Sequence, residues 1–233
     1  DGEADNIIRS SGTKVQASVG NPFLDSFYSL SSQDPNERSQ AARVLLHHCL
    51  LGSSANTKDA AYAFRRLLNG LCSGRAAARQ GNASALASFL KIAFRLGKME
   101  EIKTDSLAND STQGLSNGSS ILKYIRDRLL SATDPHLSTG KKKRSEERDY
   151  QFGRLFGILA VVRSNILIEL NDCDEIREVA SAMIGDLAEL FWKRKWMREP
   201  AAHATTVILN LFFESDTASK QAIAQNLIEE VVI

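Results

Sequence analysis

The sequence predicts an all-α chain of consecutive helix pairs, the pattern of degenerate HEAT/armadillo-like repeats stacked into an α-solenoid. A single irregular helical bundle is the alternative. Three observations predict this. Apolar residues recur at helical spacing through most of the chain. No stretch sustains the period-two alternation of a half-buried strand. Only 4 prolines fall in 233 residues, which favours long helices because proline removes an internal hydrogen bond.

Asp1 to about Gly20 is rich in Gly, Ser and Asp without periodicity and reads as a tail ahead of a helical-repeat domain over 21–233. A first helix is expected over Pro22–Leu30. Asp34-Pro35-Asn36-Glu37 is a capping-box arrangement with proline at the first helical position. It launches a helix to about Leu51, with Ala41, Ala42, Leu45, Leu46 and Cys49 on the apolar side and Gly52 ending it. Lys58–Leu71 and Arg75–Leu96 carry apolar stripes and are joined by a short Ser73-Gly74 turn, a helical hairpin. Residues 97–119 turn polar and Gly/Asn/Ser-rich and are expected to be a loop after one fading turn.

Ser120–Leu130 is a short helix, and 133–144 is a second loop ending in the basic run Lys141-Lys142-Lys143-Arg144. Ser145 is the expected N-cap of an almost wholly apolar helix to about Leu170, with Glu146 and Glu147 suiting the helix dipole in its first turn. Asp172 and Glu175 frame a helix through Trp196, and Pro200–Glu214 with Thr217–Val232 form the last pair. Comparable segments begin near Asn36, Arg75, Arg148 and Arg198. The first two are spaced near the ~40-residue period of HEAT and armadillo units.

Composition excludes some classes. Formal net charge is +1, so nucleic-acid contact requires a local patch rather than a global field. Cys49, Cys72 and Cys173 are widely spaced and form no C-x-x-C pair, which fits a reduced setting. Phe152–Leu170 is interrupted by Arg154, Arg163 and Glu169, each costly in lipid, so no membrane span is expected. The start at Asp1 and the end at Ile233 read as those of a piece of a longer protein.

The basic run Lys141, Lys142, Lys143 and Arg144 suits phosphate contacts or a nuclear-import receptor; a solvated loop is the alternative. Arg65, Arg66, Arg75 and Arg79 cluster around one hairpin turn and are candidate phosphate contacts, with salt bridges between repeats as the alternative. Phe191, Trp192, Trp196 and Met197 interleave with Lys193, Arg194 and Lys195. That mix can bind RNA by stacking, but a core edge covered by long cationic side chains is the favoured reading. Gly81, Gly153 and Gly157 lie inside helices and point to close helix packing, the last two at one tight crossing. Arg154 and Arg163 are expected to anchor this helix to its neighbours. His47-His48-Cys49 cannot chelate one ion, because consecutive helix residues point about 100° apart.

SEERDYQFGRLFG (Ser145–Gly157) resembles the EERDY-x-FGRLFG segment of the Myb-binding protein 1A family, also called DNA polymerase phi. Three further stretches agree in order: Phe27–Leu30 with Asn36–Leu46, Tyr62–Leu90, and Lys193–Thr205. Gln80, Asn82 and His203 depart from the pattern. The resemblance implies the N-terminal part of a nucleolar protein of ribosomal-DNA transcription and ribosome biogenesis. It also implies nucleolar proteins or pre-ribosomal particles, with rDNA or rRNA, as partners, and neither a cofactor nor a small-molecule substrate. The expected function is a non-enzymatic scaffold; a divergent DNA polymerase and a generic HEAT-type adaptor are the alternatives. Two-metal nucleotidyl transfer needs convergent carboxylates. The nearest pair, Asp172 and Asp174, lies two apart at a helix start, where capping is the expected role. No G-x-x-x-x-G-K-[ST] phosphate loop is present.

Overall fold

The computed structural model describes residues 21–109, 120–134 and 144–232; the expected tail over 1–20, the segment 110–119 and the run Lys141–Lys143 lie outside the described residues. Among the described residues the chain is helical with no strand. Helix α1 (Pro22–Ser29) is capped by Asn21, whose side chain accepts from the Phe23 amide at 3.0 Å. Helix α2 (Pro35–Leu46) begins at Asp34, which accepts from the Asn36 amide at 2.9 Å. Its capping box closes through a relay: the Asp34 amide donates to Ser32 Oγ, and that hydroxyl donates to Glu37 Oε2. The last turn widens to a π-helix over His47–Leu51, which turns Cys49 and Leu50 into the core.

Helix α3 (Thr57–Gly70), capped by Asn56, and helix α4 (Ala76–Arg95) form the expected hairpin. Helix α4 ends in a Schellman motif. Gly97 takes φ +67°, its amide donates to the Phe94 carbonyl, and the Lys98 amide donates to the Ala93 carbonyl. The chain then re-enters a helix, α5 (Met99–Asn109), where the sequence reads as a loop from residue 97. Burial of Met99 and Ile102 against α3 holds it. Two apolar residues three apart give too weak a period to see in a polar stretch.

Helix α6 (Ile121–Thr133) is capped by Ser120. Helix α7 (Arg144–Arg163) begins one residue ahead of the expected cap, Ser145. It also stops well short of Leu170. Ser164 donates its hydroxyl to the Val161 carbonyl at 2.6 Å, and Asn165 adopts φ +63°, a left-handed conformation that asparagine tolerates. The break re-aims the short helix α8 (Ile166–Glu169) so that Ile166 and Leu167 are fully buried. Helix α9 (Cys173–Lys193) starts under Asp172, which accepts the Asp174 and Glu175 amides at 3.1 and 3.0 Å. A single 3₁₀ turn over Lys195–Met197 separates it from α10 (Arg198–Phe213), and α11 (Ala218–Val232) follows. The expected continuous helix through Trp196 therefore breaks at Arg194, which is extended.

Helices α2, α4, α7 and α10 touch in that order and form the central row, with α1, α3, α6 and α9 packed beside their partners. One apolar cluster runs through all of them, from Phe23 to Leu227. The stretch Glu147–Glu169 is long and apolar enough to cross a bilayer, yet it lies mostly inside this cluster and is broken at Asn165.

Glycine sets the close approaches. A Cβ on Gly81 would overlap the carbonyl oxygen of Leu30, at the end of α1. On Gly153 it would sit 2.5 Å from Cys72 Sγ in the α3–α4 turn, and on Gly157 it would overlap the side chain of Leu129 on α6. The two α7 glycines thus serve two neighbours, not the single crossing the sequence suggests. Gly70, which the sequence reading passes over, makes room for the side chain of Asn82.

Gly81→Ala is expected to destabilise the chain by about 1–3 kcal/mol, because backbone rather than a flexible side chain must move. Gly185→Ala, where nothing lies within 4 Å of the added methyl, is expected to stabilise by about 0.5–1 kcal/mol. Urea unfolding midpoints measure both.

Candidate nucleic-acid interface

The four arginines expected around the α3–α4 turn do not form one ridge. Arg66 turns toward α1, where its Nη1 donates to the Tyr62 hydroxyl at 2.6 Å and its guanidinium lies 4.7 Å from the Phe27 ring centre. Arg79 turns the other way and is buried, 8% exposed. Its Nη1 donates to the Ser73 carbonyl at 2.5 Å and faces Asp149 Oδ1 at 3.4 Å, while the guanidinium covers Phe152 at 4.6 Å. Burial pulls its pKa below the ordinary arginine value, with Asp149 opposing. Arg65 is half-buried on α3, and Arg75 is exposed ahead of α4. The turn therefore scatters its cations, because Arg65 and Arg66 lie on α3, Arg75 ahead of α4 and Arg79 within it, each in different surroundings.

Lys141, Lys142 and Lys143 lie outside the described residues, as does the side chain of Arg144 at the start of α7. Arg154 reaches from α7 to α9, with Nη1 3.3 Å from Glu189 Oε2 and 4.0 Å from Asp186 Oδ1. Burial raises the Asp186 carboxyl above the usual range, with Arg154 opposing; a hydrogen bond from Lys193 holds Glu189 low. Arg163 does not share this role. It is exposed in the last turn of α7, where a cation suits the helix dipole without an inter-helix partner being required.

The His47-His48-Cys49 step is likewise dispersed. His48 stacks on Phe23 at 4.3 Å and its Nε2 lies 2.8 Å from Asp59 Oδ2. Hydrogen bonds from Asn56 and His48 lower the Asp59 pKa, and burial pushes the Cys49 thiol up to about 12, far from a thiolate nucleophile. Asp172 is occupied by two backbone amides and Asp174 by Arg177 at 2.9 Å. Among the described residues no three of His, Cys, Asp and Glu converge in a metal-binding arrangement.

Basic and aromatic groups do converge where the first turns of α7 meet the α9–α10 junction. A cleft of about 550 Å³ is lined there by Glu147, Arg148, Gln151, Arg194 and Trp196. Trp196 rests on Phe152 with ring centres 5.1 Å apart, and the Arg148 guanidinium lies 5.5 Å from both rings. Arg194 is ion-paired to Glu147. The expected core edge thus divides: Met197 is fully buried, whereas Trp192 is 73% and Trp196 42% exposed. The sequence reading missed Arg148 and Phe152, although their spacing of four on one helix is the signal that places them together. Beyond Trp192, an apolar groove of about 600 Å³ between α9 and α10 is lined by small residues including Ser181, Gly185, Ala188 and Ala202.

The family model described as DNA polymerase phi matches residues 62–232. The chain is similar to the rDNA transcriptional regulator pol5 of Schizosaccharomyces pombe, 25% identical over 203 residues, covering 87% of this chain and 18% of the relative. It is also similar to the rDNA transcriptional regulator POL5 of Saccharomyces cerevisiae, 26% identical over 209 residues, covering 87% of this chain and 19% of the relative. The chain therefore spans less than a fifth of the length of these curated relatives. No solved structure matches.

Arg79→Met is expected to lower stability by about 2 kcal/mol, since it strips charged hydrogen bonds from a buried site. Arg75→Ala, at an exposed position, is expected to leave the unfolding midpoint unchanged; thermal denaturation of the two variants side by side checks the contrast.

Proposed function

The chain belongs to the DNA polymerase phi family, and from that premise we propose that it is part of a nuclear, non-enzymatic regulator of ribosomal-DNA transcription. The observation that carries this reading is the match, across 87% of the chain, to two proteins named as rDNA transcriptional regulators. In this proposal residues 21–233 form one helical-repeat domain. The serial contact of α2, α4, α7 and α10 supports a HEAT/armadillo-like solenoid, because in such a stack each repeat is buried by its neighbours. The protein acts in the nucleolus, with rRNA processing and ribosome assembly as the extension of the same role, as the resemblance to Myb-binding protein 1A implies. Its partners are nucleolar proteins or pre-ribosomal particles, and rDNA or rRNA.

The polymerase in the family's description is the competing reading. Asp172 and Asp174 speak against it here, since one is held by backbone amides and the other by Arg177, on the turn of a helix rather than facing each other. Chemistry that depends on two convergent carboxylates has no support from this pair.

Primer extension with the full-length protein is expected to show no metal-dependent nucleotide incorporation above a no-protein control. Chromatin crosslinking is expected to recover ribosomal DNA. Robust incorporation, or absence from ribosomal DNA, would overturn the proposal.

A further inference from the structure

We propose that the cleft between the first turns of α7 and the α9–α10 junction binds single-stranded nucleic acid, with a base stacked against Trp196 and Arg148 and the adjoining phosphates met by Arg194 and Lys195. This deepens the reading of the protein as a regulator at ribosomal DNA and rests on it.

Three features of the cleft point to that ligand. An exposed indole is costly unless something covers it, and Trp196 is held ready by Phe152 rather than free to rotate, so little ordering is needed when a base arrives. Arg148 adds a second planar surface, and guanidinium planes stack on bases as aromatic rings do. Gln151 forms the wall beside Arg148, its amide nitrogen donating to Glu147 at 3.3 Å. Finally, Arg194 and the exposed Lys195 flank the indole on an extended and 3₁₀ segment; Lys195 is open to phosphate, and Arg194 meets one by exchanging its bond to Glu147.

The surroundings limit how a strand can lie. On the far side of Glu147 and Gln151 the adjoining cleft carries Asp134 and Glu189 with Arg154 and Lys193, and Glu189 engages both of those cations. Phosphates gain less there than beside Lys195, so the strand leaves past Trp196 and Lys195. Glu147 holds Arg194 in position but competes with phosphate for it. A duplex keeps its bases stacked and offers none to Trp196, and an acidic peptide uses the arginines without needing the indole. Single strands satisfy all three features at once.

The test is fluorescence anisotropy with the full-length protein and labelled mixed-sequence oligonucleotides: single-stranded RNA, single-stranded DNA and the matching duplex. Trp196→Leu is expected to weaken single-strand binding about tenfold, while Trp196→Phe, which keeps a stacking face, stays close to wild type. Arg148→Gln is expected to weaken single-strand binding by removing a stacking plane, and Lys195→Gln to reduce the salt slope by about 1. Glu147→Gln is expected to tighten binding, and Trp192→Leu to leave it unchanged. Thermal melting verifies that each variant folds, and Arg148→Gln, at an exposed position, serves should Trp196→Leu unfold. The RNA and DNA arms report which sugar is preferred. Equal affinity for duplex, equal competition by a poly-glutamate peptide, affinities indifferent to Trp196→Leu and Arg148→Gln, or a salt slope indifferent to Lys195→Gln in folded protein would each overturn the site. Chromatin occupancy separates the two readings. A wild-type protein present on ribosomal DNA with variant-indifferent oligonucleotide binding sinks the site alone; a wild-type protein absent from ribosomal DNA sinks the regulator reading beneath it.

Discussion

Helix α7 must lie against the α3–α4 turn, against α6 and against α10 at once, and the rest of the structure depends on how closely it can approach them. The first approach requires Gly153, which lets Cys72 and the backbone of Leu71 come within contact of the helix. The second requires Gly157, which receives Leu129. Side chains at either position would push α7 outward and open the apolar cluster along its length, since a close-packed core has no slack to absorb a methyl group. Glycine in a helix is costly to helix formation, and tertiary packing offsets that cost here.

Charge secures the same helix on its two flanks. Arg79 comes from α4 to Asp149 and Phe152, and Arg154 leaves α7 for Asp186 and Glu189 on α9. These are partly buried pairs whose removal leaves an unmatched group, so they fix orientation more than they add stability. A consequence is that Arg79 is spent on structure. Its burial beneath Phe152 in turn supports the ring on which Trp196 rests, so a structural arginine and an exposed aromatic belong to one stack, Arg79–Phe152–Trp196 with Arg148 at its side. The surface available for a ligand is built on the contact that closes the core.

Family membership says nothing about where a ligand would sit, and the placement of individual side chains decides where a binding surface can form. The arginine-rich hairpin turn, the obvious place for phosphates on paper, distributes Arg66 onto an aromatic wall and Arg79 into the interior. The α7–α9 junction, by contrast, gathers Arg148, Arg194 and Trp196 from segments some fifty residues apart. Cation content and cation placement are different properties, and only the second makes a binding surface.

Most helices were legible because their signals are local: Asp34, Asn56, Ser120 and Asp172 each cap the helix that the pattern predicts. The all-helical class follows from periodicity, which is a property of consecutive residues. What the sequence by itself could not settle is decided by contacts between distant segments. Helix α5 exists because α3 buries Met99 and Ile102; α7 ends at Arg163, ahead of the turn at Asn165, because burying Ile166 and Leu167 re-aims the chain. Arg163 is solvated whereas Arg154, nine residues earlier, is clamped. The candidate site belongs to the same category. Its residues were visible one by one, but whether an arginine is buried or an indole exposed depends on which helix faces it, and no local pattern encodes that.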